Sequence, residues 1–549
     1  MIIYGFRSRL WHASCSKIGA GGARGFRKNG GVQPAFPRGG VGTSELGADY
    51  DELHGLCMSP AVLRARSGRA VRVSLCGLTL MLTGCAVGPD FQVPALPALK
   101  GFLPGQRDSV PGSTVVRGAD IPARWWEAFR SPQLNRLIDD AIRNNPDLQA
   151  AEAAVRVAQA NASALRGTLF PVVAASFDAS RQMIPGRTLT SNAASGADTY
   201  SLHTAQVSVS FVPDVFGGTR RAIESAEAQA EAQSFQREAV YITLASNIAL
   251  AAIQEASLRG QIAATRRLID IQTQLLDILR RQNDRGQIAL PDVVAQETAV
   301  AQARLLLPPL EKQLAQQRNL LATLTGRFAS EGLPAGFELQ NFRLQRKLPL
   351  SLPADLVRQR PDVRVAEANL HAANAQIGVA IANRLPQITL TGNAGSSADS
   401  IARLFSPGTL FWTVAGNAAQ TVFDAGSRYF KQKAAEETTA QATAQYRSTV
   451  LVAFQNVADV LRALQSDERA IAAAIAAEES ANRNIELVRR QVEQGQVSSP
   501  VLLIAQQAYL QTSLARVQAQ AARLADTVAL FQALGGGWWN RIPKETASQ

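Results

Sequence analysis

Cysteine is almost absent from this sequence. The chain has 549 residues but only four cysteines, and the last of them is Cys85. Everything after Cys85 therefore lacks the residues for an internal disulfide or a thiolate metal site. Histidine is equally scarce there, because only His203 and His371 follow and they lie far apart in the sequence. These absences argue against a zinc enzyme and against a catalytic triad built on histidine.

Other features are also missing. Aromatic residues make up only 6% of the chain. No run of 18 apolar residues occurs, so a membrane-spanning helix is not expected. Phosphate-loop, Gly-x-Ser-x-Gly, His-Glu-x-x-His and paired-cysteine motifs are absent, so we predict that the protein is not an enzyme. Residues 1–84 contribute +7 of the +12 net charge, because they contain eleven Lys/Arg and four Asp/Glu. A nucleic-acid partner is therefore not expected.

Residues 58–84 are predicted to be an export signal peptide. A basic stretch ends at Arg72, and the mainly apolar ten-residue stretch 73–82 that follows is too short to span a bilayer. The segment ends in Leu82-Thr83-Gly84-Cys85, which resembles a bacterial lipobox. The resemblance implies that Cys85 becomes the mature N-terminus and carries a diacylglycerol and an N-acyl chain. The alternative is an ordinary signal peptide with a chance cysteine, and no other cofactor is expected.

The lipobox also predicts a location. A diacylglycerol with an N-acyl chain is sufficient for stable anchoring to a membrane. Ala86 rather than aspartate follows the cysteine, and by analogy with lipoprotein sorting in enteric bacteria this indicates the outer membrane. Residues 1–57 are Gly-rich and irregular, and we interpret them as a non-native or over-extended N-terminus that precedes a true start at Met58. A cytosolic extension that is removed on export is the alternative.

The remaining chain contains a tandem duplication. Asn-Pro-Asp-Leu at 145–148 matches Arg-Pro-Asp-Val at 360–363, and each opens an alanine-rich helical stretch. Two further pairs follow in the same order: Val-Pro-Asp-Val-Phe-Gly at 212–217 with Val-Phe-Asp-Ala-Gly at 422–426, and Arg-Gly-Gln-Ile at 285–288 with Gln-Gly-Gln-Val at 494–497. A duplication with a period of about 210 residues predicts two similar structural units.

Each unit is predicted to run helix, strand, long loop, strand, very long helix, turn, helix. The strands after Pro171 and at 204–211 alternate apolar with small polar residues, and unit two repeats this at 388–393 and, less regularly, at 410–422. An apolar face opposite a small polar face suits a barrel wall with a wet lumen. An amphipathic sheet in a soluble protein fits the alternation equally well.

The longest helices indicate a coiled-coil part. Residues 427–494 contain neither glycine nor proline, and 68 helical residues extend roughly 100 Å. Apolar residues recur there at three- to four-residue steps and predict a seam formed by Val450, Val457, Leu461 and Leu464. Gly286 and Gly495 then mark the turns of two helical hairpins, in which a proline starts the returning helix. Pro308-Pro309 should break or kink the first returning helix.

The number of strands bears on assembly. Four barrel-type strands cannot close a membrane barrel, because open edges are not tolerated in lipid and known barrels need about eight strands. A dimer would supply eight strands and a trimer twelve. A lumen wide enough for solutes favours the trimer.

These features together resemble the TolC/OprM-like outer-membrane factors, in particular the lipoprotein branch that serves resistance-nodulation-division efflux systems. The resemblance covers about residues 85–540 and rests on the lipobox, the segment Cys-Ala-Val-Gly-Pro-Asp-Phe at 85–91, the Asn/Arg-Pro-Asp helix starts, the Gly-Gln turns and the duplication. It implies a mostly α-helical fold with a β-barrel part. The duplicated helix-strand-strand-helix-helix unit gives four strands per chain, a homotrimeric 12-stranded barrel and a long periplasmic α-helical tunnel.

The implied function is the outer-membrane exit duct of a tripartite efflux system, which passively conducts small molecules expelled by an inner-membrane pump. The implied partners are two further copies, a periplasmic adaptor (membrane fusion) protein and an inner-membrane resistance-nodulation-division pump. The implied location is the outer membrane, with a lipid anchor and a periplasmic extension. Two alternatives stay open: the channel of a protein-secretion system and, from a different class, a periplasmic coiled-coil adaptor or scaffold lipoprotein.

The resemblance also assigns site residues. Docking at the hairpin tips carries over onto Arg285, Gly286, Asp292, Val293 and Gly495. Many family members have carboxylates shortly after the second turn, but residues 500–504 carry no charge here. We therefore predict an apolar gate that involves Val501 and Ile504, with Asp292 as a second candidate that could supply a carboxylate ring.

The sequence divides into seven segments. They are the non-native N-terminus (1–57), the signal peptide (58–84), an anchor and belt segment (85–144), the first repeat (145–326), an inter-repeat belt segment (327–359), the second repeat (360–537) and a C-terminal tail (538–549). The tryptophan pairs at 125–126 and 538–539 are predicted to pack in the belt, and Trp412 is predicted to lie at the membrane interface.

Overall fold

The computed structural model describes residues 86–95, 101–104, 114–184, 198–333, 336–344, 347–351, 353–494 and 496–541. Several predictions lie outside these residues: the segments 1–57 and 58–84, the lipobox residues Leu82, Thr83, Gly84 and Cys85, and the turn residue Gly495.

The described chain is mainly helical, with two small sheets. Its first part forms β1 (Thr114–Arg117), α1 (Pro132–Asn144), α2 (Pro146–Gly167), β2 (Val172–Ile184), β3 (Asp198–Phe211), α3 (Gly218–Asp284), α4 (Leu290–Leu305) and α5 (Leu307–Leu324). Its second part forms β4 (Lys347–Leu350), α6 (Pro353–Gln359), α7 (Pro361–Ala382), β5 (Gln387–Ala398), β6 (Leu410–Ala419), α8 (Ser427–Glu493) and α9 (Ser499–Ala533). Short 3-10 turns occur at Trp125–Phe129, Ala329–Glu331, Leu339–Asn341, Ile401–Arg403 and Trp538–Asn540.

The two halves repeat the same order of elements with closely matched lengths. Helices α2 and α7 both have 22 residues, and α3 and α8 both have 67. Positions in α2 and β2 correspond to positions 215 residues later, as the starts of α2 and α7 show. From β3 onward the shift is 209, as the starts of α3 and α8 show. The difference arises in the strand–loop–strand segment, because both strands and the loop that joins them are shorter in the second half.

The starts of α2 and α7 are tied to the same place in their own repeats. Asn145 caps α2, because its Oδ1 accepts from the backbone N–H groups of Asp147 and Leu148, and Pro146 takes the first helical position. The Asn145 side chain also donates to the carbonyl oxygen of Leu324 at 3.0 Å. At the corresponding place Arg360 donates to the carbonyl of Ala533 at 2.9 Å. Each repeat thus closes on its own last helix.

The larger sheet has four antiparallel strands in the order β2-β3-β5-β6. The last strand was predicted to reach residue 422 but ends at Ala419. The chain has to turn there, because Asp424 accepts from the backbone N–H groups of Gly426 and Arg428 at the start of α8. The smaller sheet is a parallel pair of β1 and β4, which joins the predicted belt segments.

The main hydrophobic core lies around the middle of α3. Trp125, Trp126 and Phe129 are completely buried there, and Trp538 and Trp539 pack against the same cluster. Both tryptophan pairs thus pack in one core, and their assignment to a belt stays a prediction. The predicted seam on α8 is confirmed, because all four of its residues are buried. The most apolar 18-residue window of α3 meets the criteria of a membrane span, but 67% of it is buried inside the chain, as in a core helix.

Candidate channel wall and helical tips

One face of the four-stranded sheet is mainly apolar on every strand, although it also carries Arg181 on β2 and His203 on β3. The register places Val209 between Val173 and Gly392, and Gly392 opposite Val414, so alternate residues of neighbouring strands form one continuous surface. Its larger members are Val173 and Phe177 on β2, Val207 and Val209 on β3, Leu390 on β5, and Leu410, Trp412 and Val414 on β6. They are exposed in the single chain, where Trp412 retains 77% of its accessible surface. An exposed apolar patch of this extent marks an interaction surface.

The opposite face of the sheet is polar. It carries Ser176 and Asp178 on β2, Gln206 and Ser208 on β3, Thr391 and Asn393 on β5, and Thr413 and Asn417 on β6. Thr204 and Ser397 hydrogen-bond across two strands through their hydroxyls at 3.0 Å. Asp178 is the one charged residue on this face among the strand residues whose side chains are described. The sheet therefore has one apolar surface and one hydrophilic surface, and nearly all side chains of the hydrophilic surface are uncharged.

Both edges of this sheet are open in the described chain. β2 pairs only with β3, and β6 only with β5, although β2 and β6 have 13 and 10 residues. Edge strands of this length present backbone donors and acceptors that can pair with a further strand.

An N-terminal strap, residues 86–91, lies across the junction between the sheet and the helices. The backbone N–H of Val87 donates to Phe216 just after β3, at 3.1 Å. Space at this point is so tight that a Cβ on Gly217 would lie 2.5 Å from the Cα of Ala86, and one on Gly88 2.5 Å from the Cα of Gly378. Gly88 also has a φ of 100°, which favours glycine.

Arg221 of α3 binds this strap through several hydrogen bonds. Its guanidinium donates to the carbonyl oxygens of Val87 (3.2 Å) and Gly88 (3.3 Å), to Asp90 (2.7 Å) and to Glu224 (2.8 Å). The hydrogen bond to Asp90 raises the pKa of Arg221, so the side chain stays charged although it is buried. Beside it, Phe91 stacks on the ring of His371, and His371 hydrogen-bonds Glu224 at 2.9 Å. Residue 86, directly after Cys85, is thereby positioned at the end of the sheet.

The C-terminal end is tied to the belt in a similar way. Asp120 accepts from the indole N–H of Trp539 at 2.9 Å and from Asn540 at 2.7 Å. Burial acts to raise the pKa of Asp120, but these bonds outweigh it and the pKa is lowered. The indole of Trp538 donates to the carbonyl of Gln359 at 2.7 Å. The tail thus joins the N-terminal belt segment to the segment between the repeats.

The two helical hairpins end in matching turns. In the first, the N–H of Gln287 donates to Gln282 at 2.9 Å, and in the second the N–H of Gln496 donates to Gln491 at 2.8 Å. Both bonds span five residues, as in a Schellman motif. Gly286 adopts a φ of 70° in the first turn and has open space around it. The positive φ of Gly286 thus explains the glycine of the first Gly-Gln pair.

The predicted tip residues occupy different environments. Arg285 and Gly286 are exposed and Asp292 is partly exposed in the first turn of α4, whereas Val293 is 5% exposed and packs in a cluster that includes Leu279 and Leu502. The side chain of Val293 therefore supports the tip from inside and does not present itself to a partner. Val501 and Ile504 are 41% and 69% exposed on one face of α9. Val501 corresponds in the repeat to Asp292, so the structure brings two of the predicted gate positions to equivalent places.

A pair of carboxyl groups lies between α8 and α9. Burial raises the pKa of Asp467 to about 6, and a hydrogen bond with Asp526 adds to the effect. The Oδ2 atom of Asp467 is buried, and none of the described residues donates a hydrogen bond to it. Arg523 attracts Asp467 but forms an ion pair with Glu468. Asp467 therefore binds a proton more tightly than a free aspartate does.

Sequence reasoning missed the contact of Arg221 with the strap. The signal was present in part, because Gly-Pro-Asp-Phe at 88–91 marks a rigid segment next to the lipobox, but its contact on α3 is about 130 residues away. The Asp467–Asp526 pair was also missed, because the two carboxylates are separated by one whole hairpin turn in the sequence. Among the described residues no cluster of three or more His, Cys, Asp or Glu could hold a metal ion.

Comparison with known proteins agrees with this architecture. The family described as "Outer membrane efflux protein" matches residues 137–327 and 352–536, which is one match in each half. The pyoverdine export outer membrane protein OpmQ of Pseudomonas putida is 32% identical over 418 residues, which cover 76% of this chain and 88% of OpmQ. The probable efflux pump outer membrane protein TtgC of the same species is 29% identical over 85% of this chain and 96% of its own length.

A solved structure agrees as well. The outer-membrane channel OprN superposes with a TM-score of 0.76 at 25% identity, and the match covers 83% of this chain and all of OprN. The predicted resemblance and the predicted efflux function are confirmed by these matches. The family is one of transport channels, which fits the prediction of a non-enzyme. The chain belongs to the outer membrane efflux protein family.

Proposed function

We propose that this outer-membrane efflux protein works as a homotrimeric exit duct, in which three copies of the four-stranded sheet close into one twelve-stranded barrel. The observation that carries the proposal is the sheet itself, which is apolar on one face, polar on the other and open at both edges. In a bilayer an open edge would leave backbone groups unpaired, whereas closure between copies satisfies them. The apolar face then meets lipid and the polar face lines a water-filled lumen.

The lipid anchor fits the same arrangement. The Arg221 contacts hold residue 86 beside Gly217, a few residues beyond the end of β3. A diacylglycerol and an N-acyl chain on Cys85 would therefore lie next to the rim of the barrel. The anchor and the barrel would enter the same leaflet, which supports a lipid-anchored outer-membrane protein with a periplasmic extension.

The helices reach away from the sheet toward the proposed partners. Helices α3 and α8 have 67 residues each, so their tips lie roughly 100 Å from their starts. We assign the exposed turn residues Arg285 and Gly286, together with Gly495, to docking on a periplasmic adaptor that connects the duct with an inner-membrane resistance-nodulation-division pump. Asp292, Val501 and Ile504 are assigned to the constriction at this end. Val501 and Ile504 would close it by excluding water, and Asp292 would add three carboxylates per trimer.

Fractionation and conductance measurements test this function together. We expect the mature chain in the outer-membrane fraction, as a trimer in detergent that heat converts to monomers, with a mass that starts at an acylated Cys85. In planar bilayers the purified trimer should give discrete channels. The matched control is Cys85→Ser, which should lose the acyl chains but still form trimers and channels when purified.

A monomer without conductance that fractionates with the inner membrane would overturn the duct. It would favour the adaptor or scaffold alternative, whose members have long helical hairpins but need no paired, two-faced strands. The four paired strands of this chain are the specific observation against that alternative.

A further inference from the structure

Two cavities of similar size lie on opposite sides of α3, near its middle. The first, of about 830 Å³, is bounded by α3, α5 and α9, and the second, of about 880 Å³, also reaches the inter-repeat belt segment at residues 338–340. Gln254 lines the first cavity and lies nine residues after Ala245 of the main core. Gln261 likewise lies nine residues after Ala252 of that core. Nine residues are about two and a half helical turns, so the first cavity opens on the side of α3 that faces away from the belt.

The wall of the first cavity, which we call the amide cavity, is free of charge. Among the described residues that line it, none is Asp, Glu, Lys or Arg. Its floor is apolar, with Ala251, Ile253 and Leu258 at 3%, 2% and 2% exposure. Six lining residues carry side-chain amides: Asn247, Gln254, Gln261, Gln313, Gln317 and Gln518. The cavity therefore combines an apolar floor with neutral hydrogen-bond donors and acceptors.

Most of these amides are available to a ligand. Gln317 donates to the carbonyl oxygen of Ala251 at 3.2 Å, and Gln261 donates to the hydroxyl of Ser257 at 3.2 Å. Within the part of the chain that the structure describes, no side-chain hydrogen bond is formed by the other four, which are Asn247, Gln254, Gln313 and Gln518. Each of them presents both a donor and an acceptor to the cavity.

The opposite cavity has a wall of different chemistry. Five arginines and three glutamates line it. Two ion pairs belong to this wall, Arg266 with Glu311 at 2.8 Å and Arg516 with Glu478 at 2.7 Å. The absence of charge from the amide cavity is therefore a local feature, because the other side of the same three helices is rich in ions.

The second repeat shows that the repeated fold does not require a neutral wall. The positions 209 residues after three members of the amide cavity are all acidic. They are Asp459, Asp467 and Asp526, which correspond to Leu250, Leu258 and Gln317. The same pair of helices thus carries acids in one repeat and neutral residues in the other.

In the proposed duct the amide cavity faces the lumen. Belt segments inside a ring of helices would block the passage, so they have to lie outside the ring. The opposite side of α3, on which the amide cavity opens, is then the side that solutes pass.

The wall selects a chemical class of solute. An ion would lose hydration there without meeting an opposite charge, and a purely apolar molecule would cover the amides without bonding them. A molecule with an apolar part and uncharged hydrogen-bonding groups avoids both costs. The volume is sufficient, because cavities of about 300–1,000 Å³ hold drug-sized ligands.

We infer that the amide cavity is a binding site for uncharged amphipathic organic solutes in the wall of the duct, with one site in each copy. The inference rests on the proposed function and adds to it a class of solute and the place where that solute binds.

Photolabelling of the purified trimer tests the site. The probe is para-benzoylbenzamide, an uncharged aromatic amide that bonds to nearby C–H groups on irradiation, and its matched anion is para-benzoylbenzoate. We expect saturable amide adducts in peptides that contain residues 247–261, 313–324 or 518–525. The anion should give about tenfold fewer adducts there, because its carboxylate finds no cation in the wall. Peptide mass spectrometry measures both yields.

Two pairs of variants locate the adducts. Ala522→Phe narrows the amide cavity and should lower the yield there about tenfold by steric exclusion, whereas Ala263→Phe, in the opposite cavity, should not. Gln518→Lys adds a cation to the amide cavity and should raise the adducts of the anion about fivefold. Gln520→Lys, two residues along the same helix, lines the opposite cavity and should leave them unchanged.

The outcomes separate this inference from the proposed function. A trimer that conducts, but whose amide adducts are missing from the cavity peptides or unaffected by Ala522→Phe, would overturn the site and leave the duct standing. Equal labelling by the amide and the anion would overturn the selection for uncharged solutes. A chain that forms neither trimers nor channels would overturn the duct and, with it, the position of the cavity on a solute path.

Discussion

The two returning helices have the same length but different continuity. Residues 499–533 form the single helix α9, whereas the corresponding residues 290–324 are divided into α4 and α5 at Leu306. The break occurs just before Pro308-Pro309, as predicted, because proline lacks the N–H and clashes with the preceding turn. The repeat therefore keeps its length and register while its local helix chemistry has diverged.

The middle of the hairpins differs in polarity. Asp467 and Asp526 of the second repeat correspond to Leu258 and Gln317 in the first. Leu258 is buried at 2% exposure, and Gln317 donates to the carbonyl of Ala251 at 3.2 Å. The first repeat thus fills this place with an apolar contact and a neutral hydrogen bond, and the second fills it with two neighbouring carboxyl groups, of which Asp467 has a raised pKa. The same backbone accommodates both solutions.

Introducing a proline into α9, at the position that corresponds to Pro308, should have the largest effect on stability. Val517 corresponds to Pro308 and packs against Gly260 in an unbroken helix. We expect Val517→Pro to lower the free energy of unfolding by about 3 kcal/mol or more, because it removes a helix hydrogen bond. Thermal unfolding in detergent measures this. Val517→Ala is the control, since it removes the same contact without breaking the helix, and an equal loss in both variants would refute the explanation.

Removing the Arg221 side chain, which holds the N-terminal strap, should have the second largest effect on stability. Arg221→Ala leaves Glu224 without its buried cation and frees the strap, so we expect a loss of about 2–3 kcal/mol. Urea unfolding measures the stability, and proteolysis near residue 90 reports release of the strap. The control is the neighbouring Arg220→Ala, whose exposed pair with Asp214 should contribute less than about 1 kcal/mol. A strap that stays protected in Arg221→Ala would contradict the assignment.

The carboxyl pair of the second repeat should make stability depend on pH. The pKa of Asp467 is raised to about 6, above the value of about 3.9 for an unfolded aspartate, so the folded chain binds the proton more tightly. The resulting stabilisation is fully present below pH 4 or so and is lost as the pH rises through about 6. Asp467→Asn should remove this loss, on the order of 1 kcal/mol after solvent screening.

Melting temperatures between pH 4 and pH 7 provide the measurement. The control is the exposed Asp459→Asn on the same helix, which should keep the pH dependence of the unmodified protein. If both variants follow the unmodified curve, the pKa of Asp467 is not raised in the folded protein.

The smallest effect on stability is expected at the tips, where the change should affect conduction. Val501→Asp gives the second repeat the carboxylate that the first has in Asp292, and both side chains are partly solvated, so unfolding should change by less than about 0.5 kcal/mol. A trimer with three additional carboxylates should conduct cations more readily, which the reversal potential in a salt gradient measures. Val294→Asp, on an exposed face of α4, is the charge-matched control. Equal shifts in both variants would remove Val501 from the proposed gate.

Much of the fold could be predicted because its signals are local. The absence of proline and glycine from 427 to 494 predicts α8 to within one residue of its end, and Asn145-Pro146 predicts the start of α2. The alternation in β2 predicts which residues share a face, and the register across all four strands agrees with it. The irregular end of β6 was placed three residues too far, because the capping of α8 by Asp424 competes with strand pairing there.

The candidate site was less accessible to sequence reasoning. The turns at the tips follow from their glycine and proline residues, but the inward position of Val293 depends on Leu279 and Leu502 from two other helices. The parallel pair of β1 and β4 joins residues more than 230 positions apart and carries no periodic signal of its own.

The sequence by itself determined the repeat, the lengths of the long helices, the two faces of the strands and the turns at the tips, because each follows from residues close together in the chain. Only the tertiary structure decided that Arg221 holds residues 87–90, that Asp467 meets Asp526, and that Asp120 receives the C-terminal tail. Those contacts depend on which helix faces meet after folding. Local periodicity constrains the faces, but the packing of distant segments selects their partners.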